Sequence, residues 1–427
     1  MRGLRNGLLA AALAMVGFAA SAGEALKVWH HGGRVQAERE TIEGILREWS
    51  RLNPDYPAEY VLLPEGAYNE QVQAAALANR LPDLLDFDAS NYANYAWAGY
   101  LEPLNRYYPP EFFERFLPSI LEQGLYAPDG QYYSLGWFDS GTGMWINRPA
   151  LEKAGIRIPK GVDDPWSREE FEDALARLKA AGFDYPLDLK LNYGKGESFC
   201  YGFGPIIQSF GADIIDRETW IAAGTLDSDA AVEAMTMVQN WVRNGYVVPA
   251  SLGDDAFYGS RKAAICYTGM WMWTPHRENL GDALGLVTMP NFKERQVSAT
   301  GSWCWGVTTA SRHKEKVAEL LAFMMRDEYV LLTANVSGAI PSTMAAAAQS
   351  ELYKKDGPMH VLIKQLEDGL GVPRPNHPGY PAITAAVAQA VADIVDGRDV
   401  REALSEAAAA IDMDIEDNQG YPPFGDR

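Results

Sequence analysis

The sequence predicts an α/β fold built as two lobes. Strand-like and helix-like segments alternate along the chain, and they do so in two successive blocks. At 427 residues, with roughly 100–200 residues per domain, the chain is long enough for two or three domains. No flexible, low-complexity linker separates the blocks, so several extended crossings are expected to join them rather than a tether. Apolar residues are 47% of the chain and charged residues 22%, a globular balance that argues against disorder.

The first element is a targeting signal. Arg2 and Arg5 precede an apolar stretch from Leu8 to Ala20, and Ala20-Ser21-Ala22 supplies a small-residue cleavage site. The stretch is short for a membrane span, which needs about 20 residues. Cleavage is expected after Ala22, with residues 1–22 as signal peptide. No lipobox cysteine stands near that point, so a free periplasmic protein is expected.

In the first block, Leu26–His30 reads as a strand and His31-Gly32-Gly33 as its loop. Ala37 to Leu52 has helical periodicity and stops at Asn53-Pro54. Tyr60–Leu63 is a second strand, Tyr68–Asn79 a helix, Leu84–Phe87 a third strand, and Tyr92–Ala98 a helix after Asp88-Ala89-Ser90. This alternation predicts a mostly parallel sheet, in which ligands bind beyond the carboxyl ends of strands. The loops at 30–33 and 88–91 are therefore candidate site walls. Gly130–Trp137 and Met144–Asn147 read as extended, with a loop at Phe138–Gly143 between them.

The second block opens at Ser167, an N-cap with Glu170 three residues on, the pattern of a capping box. A helix over Ser228–Asn244 and a strand over Ala263–Tyr267 follow. Further helices are predicted at Ser311–Met325, Pro381–Asp396 and Val400–Ile411, and Pro422-Pro423 marks a frayed tail.

The net charge of −20 repels nucleic acid and anionic membranes, so neither is an expected partner. Cys200, Cys266 and Cys304 allow at most one disulfide; Cys266 and Cys304 lie in apolar, strand-like runs and are a candidate pair, with buried thiols as the alternative. None has zinc-ligand spacing, and no metal or cofactor is expected. The 12 Trp and 21 Tyr mostly pack cores. Trp residues near strand ends also suit sugar rings, whose C–H faces are weakly apolar and whose rims are hydroxyls.

Five ordered segments carry a resemblance to a known family. They are an amphipathic helix followed by Leu-Pro-Asp-Leu-Leu and Gly-Tyr-Leu-Glu-Pro-Leu, ending at Leu104; Gly130–Gly155, with Tyr-Tyr-Ser-Leu and then Trp-Ile-Asn-Arg-Pro-Ala-Leu-Glu-Lys-Ala-Gly; the helix and Gly-Tyr within Leu226–Val248; Phe257–Trp273, with Gly259, Ala263-Ala264-Ile265, Gly269 and Trp271; and Gly338-Ala339-Ile340-Pro341-Ser342. Together they resemble the family-1 extracellular solute-binding proteins of ABC importers, the maltose-binding type. Ile146 departs from the pattern, where the family often has an aromatic residue. The Asp188–Gly194 stretch resembles a subgroup feature of sugar and polyol binders.

The resemblance implies the type II periplasmic binding protein fold, in which two α/β lobes are joined by hinge strands around a ligand cleft. The lobes would take residues 23–139 plus about 304–350, and 140–303 plus about 351–420, leaving 421–427 as tail. It implies capture of a sugar or polyol by lobe closure, driven by contacts present only in the closed state. A monomer delivering to a permease in the inner membrane follows, with no chemistry performed.

Seven residues are candidates for ligand contact. Trp271 follows a Gly269-Met270 turn, and the resemblance implies a sugar stacked on it, against interlobe packing. Trp303 and Trp305 share a strand face by period-2 alternation; the resemblance places this strand at the cleft, with Trp303 toward the ligand and Trp305 in the core. Asp88 ends a strand, where a carboxylate either accepts two sugar hydroxyls or caps the helix after Ser90. Prolines on both sides stiffen the backbone at Arg374. The resemblance implies that it enters the cleft, and a surface salt bridge is the alternative. His30, Asp139 and Asn192 qualify by loop position. His31 is expected to be exposed, and His276 and His377 to be surface residues.

An exported carbohydrate-active enzyme is the rival class. It needs a placed carboxylate pair, and no nucleophile elbow, zincin or phosphate-loop motif stands in the sequence. Within the binding class, the alternative ligand is a glycerophosphodiester, for which Arg374 and Lys190 would supply cations.

Overall fold

A computed structural model describes residues 23–32, 36–64 and 68–422. The predicted signal peptide lies outside the described residues.

The first sheet has the order Ala58–Leu62, Leu26–His30, Leu84–Asp88, Trp303–Val307, Leu135–Gly136. The first three strands pair in parallel, and Trp303–Val307 is antiparallel to both its neighbours. Four of the five strands therefore point one way, which agrees with the expected mostly parallel sheet. Leu84–Asp88 is buried at every position, as a central strand covered on both faces must be. Helix Gln36–Leu52 lays Ile42, Ile45, Leu46 and Trp49 onto this core, a helical stripe worth roughly 1.5–3 kcal/mol per buried large side chain.

The second sheet runs Leu284–Val287, Thr142–Asn147, Ile265–Gly269, Leu187–Asp188, and Thr142–Asn147 is its reversed strand. Helices Arg168–Ala180, Glu197–Ser209, Asp229–Arg243, Tyr380–Val395 and Val400–Asp417 bury their apolar faces in one core with it. The capping box forms as read: the Ser167 hydroxyl accepts from Glu170 N, and Ser167 N donates to the Glu170 carboxylate. Chain crossings between the sheets are themselves paired. Phe138–Asp139 pairs with Ile340–Pro341, and Ser298–Thr300 with Gly371–Pro373. The predicted loop at 138–143 is thus partly strand.

The structure corrects several further expectations. Cys200, Cys266 and Cys304 are all free and buried. Cys266 stands in the second sheet and Cys304 in the first, so the apolar runs that suggested pairing belong to different cores. The tail is held at Tyr421 and Pro422: Trp97 Nε1 donates to Pro422 O at 2.9 Å and Tyr421 Oη to Asp414 at 2.7 Å. Residues 423–427 lie outside the described residues. His276 and His377 are buried. His276 packs among Trp145, Phe257 and Tyr258, and burial holds its pKa well below the ordinary value. His377 packs on Trp220 and Tyr421.

Candidate functional site

A cavity of about 410 Å³ opens between the two sheets, within the size range of small-ligand sites. Of the seven sequence candidates, Asp88, Trp271, Trp303 and Arg374 line it.

Asp88 ends the central strand of the first sheet and lies directly opposite Trp303 in the register. Asp88 caps as read, and it makes a second contact that the sequence did not suggest. Its Oδ1 accepts from Ser90 N at 3.2 Å as a cap, and the same carboxylate meets Arg374 at 2.8 and 3.0 Å. Arg374 also reaches Glu197 Oε1 at 2.5 Å, in the first turn of helix Glu197–Ser209. One buried guanidinium thus ties the first sheet to a helix of the second core. Tyr380 Oη donates to the same Oε1 at 2.5 Å, and Thr384 Oγ1 donates to Oε2 at 2.8 Å. Burial raises the pKa of Glu197 despite the opposing Arg374. Arg374 is therefore a buried bridge and not the surface ion pair that was its alternative.

The guanidinium stacks 4.9 Å over the Tyr201 ring. The Tyr201 hydroxyl meets Ser140 Oγ at 2.7 Å, and Ser140 in turn donates to Gly301 O at 2.5 Å. Gly301 has φ +107°, and a side chain there would stand 3.1 Å from Arg374 Nη2, so this crossing requires glycine for conformation and for room.

Trp271 is partly buried, with Nε1 3.3 Å from Tyr193 Oη. Its ring folds back over Gly269 so closely that a Cβ at 269 would sit 2.0 Å from it. Trp303 stacks flat on His31, centroids 3.4 Å apart at 9°, and Trp305 is core. His31, expected to be exposed, is buried and lines the cavity.

His30, Asp139 and Asn192 stand outside the lining, each one residue from a residue that belongs to it: His31, Ser140 and Tyr193. His30 Nδ1 meets Tyr60 Oη at 2.8 Å, and burial followed by the neighbouring His31 lowers its pKa to about 3. Asp139 is fully buried, its Oδ1 accepting from Ser140 N, Thr300 and Gly301 N; it knits the crossing strands. Asn192 donates to Asp254.

The cavity's polarity has a definite pattern. Lys190, in the left-handed region at φ +56°, puts its ammonium 3.0 Å from Asp188 and 3.2 Å from Asp254. Both buried cations of the wall, Lys190 and Arg374, are thus already matched by carboxylates. By contrast, Asn69 Oδ1, Thr268 Oγ1 and Ser302 Oγ are buried neutral polar atoms with no partner among the described residues, and all three residues line the cavity. Such orphans are costly unless a bound group satisfies them. Glu197, Tyr201, Asn69, Thr268 and Ser302 were not found from sequence. Ser302 carried one usable signal, its place beside Trp303; the others are brought in by folding.

Donor atoms of His30, His31 and Asp86 lie within 4.8 Å of one another, a set that could hold a metal. No helix among the described residues is long and apolar enough to cross a membrane.

A family model described as bacterial extracellular solute-binding protein matches residues 35–330. A Brucella abortus chain described as a binding protein is 22% identical, with 86% of this chain and 88% of that one covered. The GacH receptor of Streptomyces glaucescens, solved unliganded and with acarbose, superposes with a TM-score of 0.77 at 21% identity, covering 93% of this chain and 98% of the other. A solute-binding protein of Thermotoga lettingae bound to α-D-tagatose gives 0.78 at 19% identity, covering 92% and 100%.

Proposed function

The chain belongs to the bacterial extracellular solute-binding protein family, and from that premise we propose that it captures a neutral sugar or polyol and delivers it to an ABC permease. As a member of that family it is a binding protein and not an enzyme. The observation that carries the ligand class is the cavity's mismatch of polarity. Its buried cations are consumed by carboxylates, while neutral hydroxyl and amide atoms in the same wall as Trp271 and Trp303 have no partner among the described residues. A polyhydroxylated ring offers apolar faces to the indoles and hydroxyls to the orphans. The GacH receptor with acarbose and the Thermotoga lettingae protein with α-D-tagatose support the same class.

Capture proceeds by closure of two lobes, residues 23–139 plus about 304–350 and 140–303 plus about 351–420. The protein works in the periplasm as a monomer after loss of residues 1–22. A phosphorylated ligand is disfavoured: it would have to win Arg374 from Asp88 and Glu197, or Lys190 from Asp188 and Asp254.

A thermal-shift screen of sugars, polyols and glycerophosphodiesters tests this. A ligand at 1,000 times its Kd adds about 4 kcal/mol, so a neutral sugar or polyol should raise Tm by several degrees and be recovered unchanged. Stabilisation by glycerophosphodiesters alone contradicts it.

Gly269→Ala supplies a separate check. Its new methyl would overlap the Trp271 ring, so the indole must move, and affinity for the sugar or polyol is expected to fall about tenfold or more by calorimetry. Unchanged affinity would detach Trp271 from the ligand.

A further inference from the structure

Beneath Trp303 lies a buried set of polar side chains whose innermost member, Asp86, stands outside the cavity lining. The Asp86 carboxylate is 1% exposed, with no lysine or arginine bonded to it among the described residues. Its Oδ2 accepts from His31 N at 3.0 Å and faces His31 Nδ1 at 2.5 Å. The other side of the imidazole bears flat on Trp303. Tyr68 closes the set: its hydroxyl donates to Asp86 O at 2.5 Å, and its ring stands edge-on to both His31 and Trp303.

We propose that Asp86 is a positioning residue for ligand stacking: through its bonds to His31 it fixes the imidazole that backs Trp303, and so holds the indole ready for the ligand. This rests on the reading that Trp303 faces a sugar or polyol. An indole with two free side-chain torsions must otherwise be ordered when the ligand arrives, at a cost in affinity. Here the ordering is done in advance by a stacked ring that bonds a carboxylate through Nδ1, the same carboxylate that holds the His31 backbone N–H.

The same atoms are less well set for a metal. The Asp86 oxygen nearest both histidines is already bonded to His31, and His30 Nε2 stands off at 3.9 Å while its Nδ1 is committed to Tyr60.

Emission from Trp303 tests the link directly. The chain has 12 Trp, so the wild-type signal minus that of Trp303→Phe isolates it. An indole held against a stacked ring moves less than a free one, and its emission anisotropy reads that motion. Asp86 bonds the ring that backs Trp303. The Trp303 anisotropy is therefore expected to be higher in the wild type than in Asp86→Asn at the same pH. The strongest stabiliser from the screen should bind Asp86→Asn about tenfold more weakly. His31→Phe, which keeps a ring beside Trp303 without the ring's bond to Asp86, should lower the anisotropy likewise and serves if Asp86→Asn does not fold. Identical Trp303 anisotropy in wild type and Asp86→Asn overturns the proposal. So does zinc sulfate raising the Tm of the wild type but not of Asp86→Asn, which would make the cluster a metal site. Wild-type affinity in Trp303→Ala would instead sink the underlying reading of Trp303, with the emission link still standing.

Discussion

Replacing Arg374 by alanine is expected to cost about 3–5 kcal/mol of stability, the loss typical of removing one partner from a buried ion pair. Arg374 is the cation between Asp88, at the end of a first-sheet strand, and Glu197, on a helix of the second core. Its removal leaves two carboxylates facing one another with no compensating charge. The penalty should depend on pH. A carboxyl left in that position has a folded pKa above its unfolded value near 4, so the folded state binds more protons. Such a group favours folding at low pH and loses that contribution as pH rises through its folded pKa. Chemical denaturation should thus find the deficit of Arg374→Ala smaller at pH 5 than at pH 8. Arg374→Lys keeps the charge but not the two-sided fork and should fall between. A variant as stable as wild type at pH 8 would mean the bridge contributes nothing to holding the sheets together.

Trp271→Ala is expected to act on the other quantity. The indole is only partly buried, and its ring rests on Gly269 rather than deep in a core, so stability should change little. Loss of an aromatic anchor from a binding site costs about 2–4 kcal/mol, which is roughly 30- to 1,000-fold in Kd. Calorimetry with the best ligand from the screen should show that fall, with the ligand-free Tm nearly unchanged. Full affinity in the variant would remove Trp271 from the site; a large drop in ligand-free Tm would show it to be packing.

The architecture was largely legible because it follows from periodicity. The helix at Gln36–Leu52 and the strands Leu26–His30 and Leu84–Asp88 lie within about two residues of their predicted positions. Helix Glu197–Ser209 was missed for a physical reason. It contains Gly202, Gly204 and Pro205, all poor helix formers, and is helical because Phe199, Phe203, Ile206 and Ile207 are buried in the second core. That helix carries Glu197 and Tyr201 into the cavity, so a missed element became missed site residues. The candidates chosen by loop position alone, His30, Asp139 and Asn192, each fell one residue from a lining residue. Position along a loop gives the neighbourhood, and the local backbone decides which side chain points inward. The ion pairs Arg374–Asp88 and Lys190–Asp254 bring together residues more than 60 positions apart, which no local pattern reveals.

The most direct test compares one neutral sugar or polyol, the strongest stabiliser in the screen, with the same compound carrying a single phosphate, by calorimetry at constant pH and salt. Because Arg374 and Lys190 are already held by Asp88, Glu197, Asp188 and Asp254, the neutral ligand should bind at least about tenfold more tightly, at least about 1.4 kcal/mol. Tighter binding of the phosphorylated compound would contradict the assignment of a neutral, polyhydroxylated ligand.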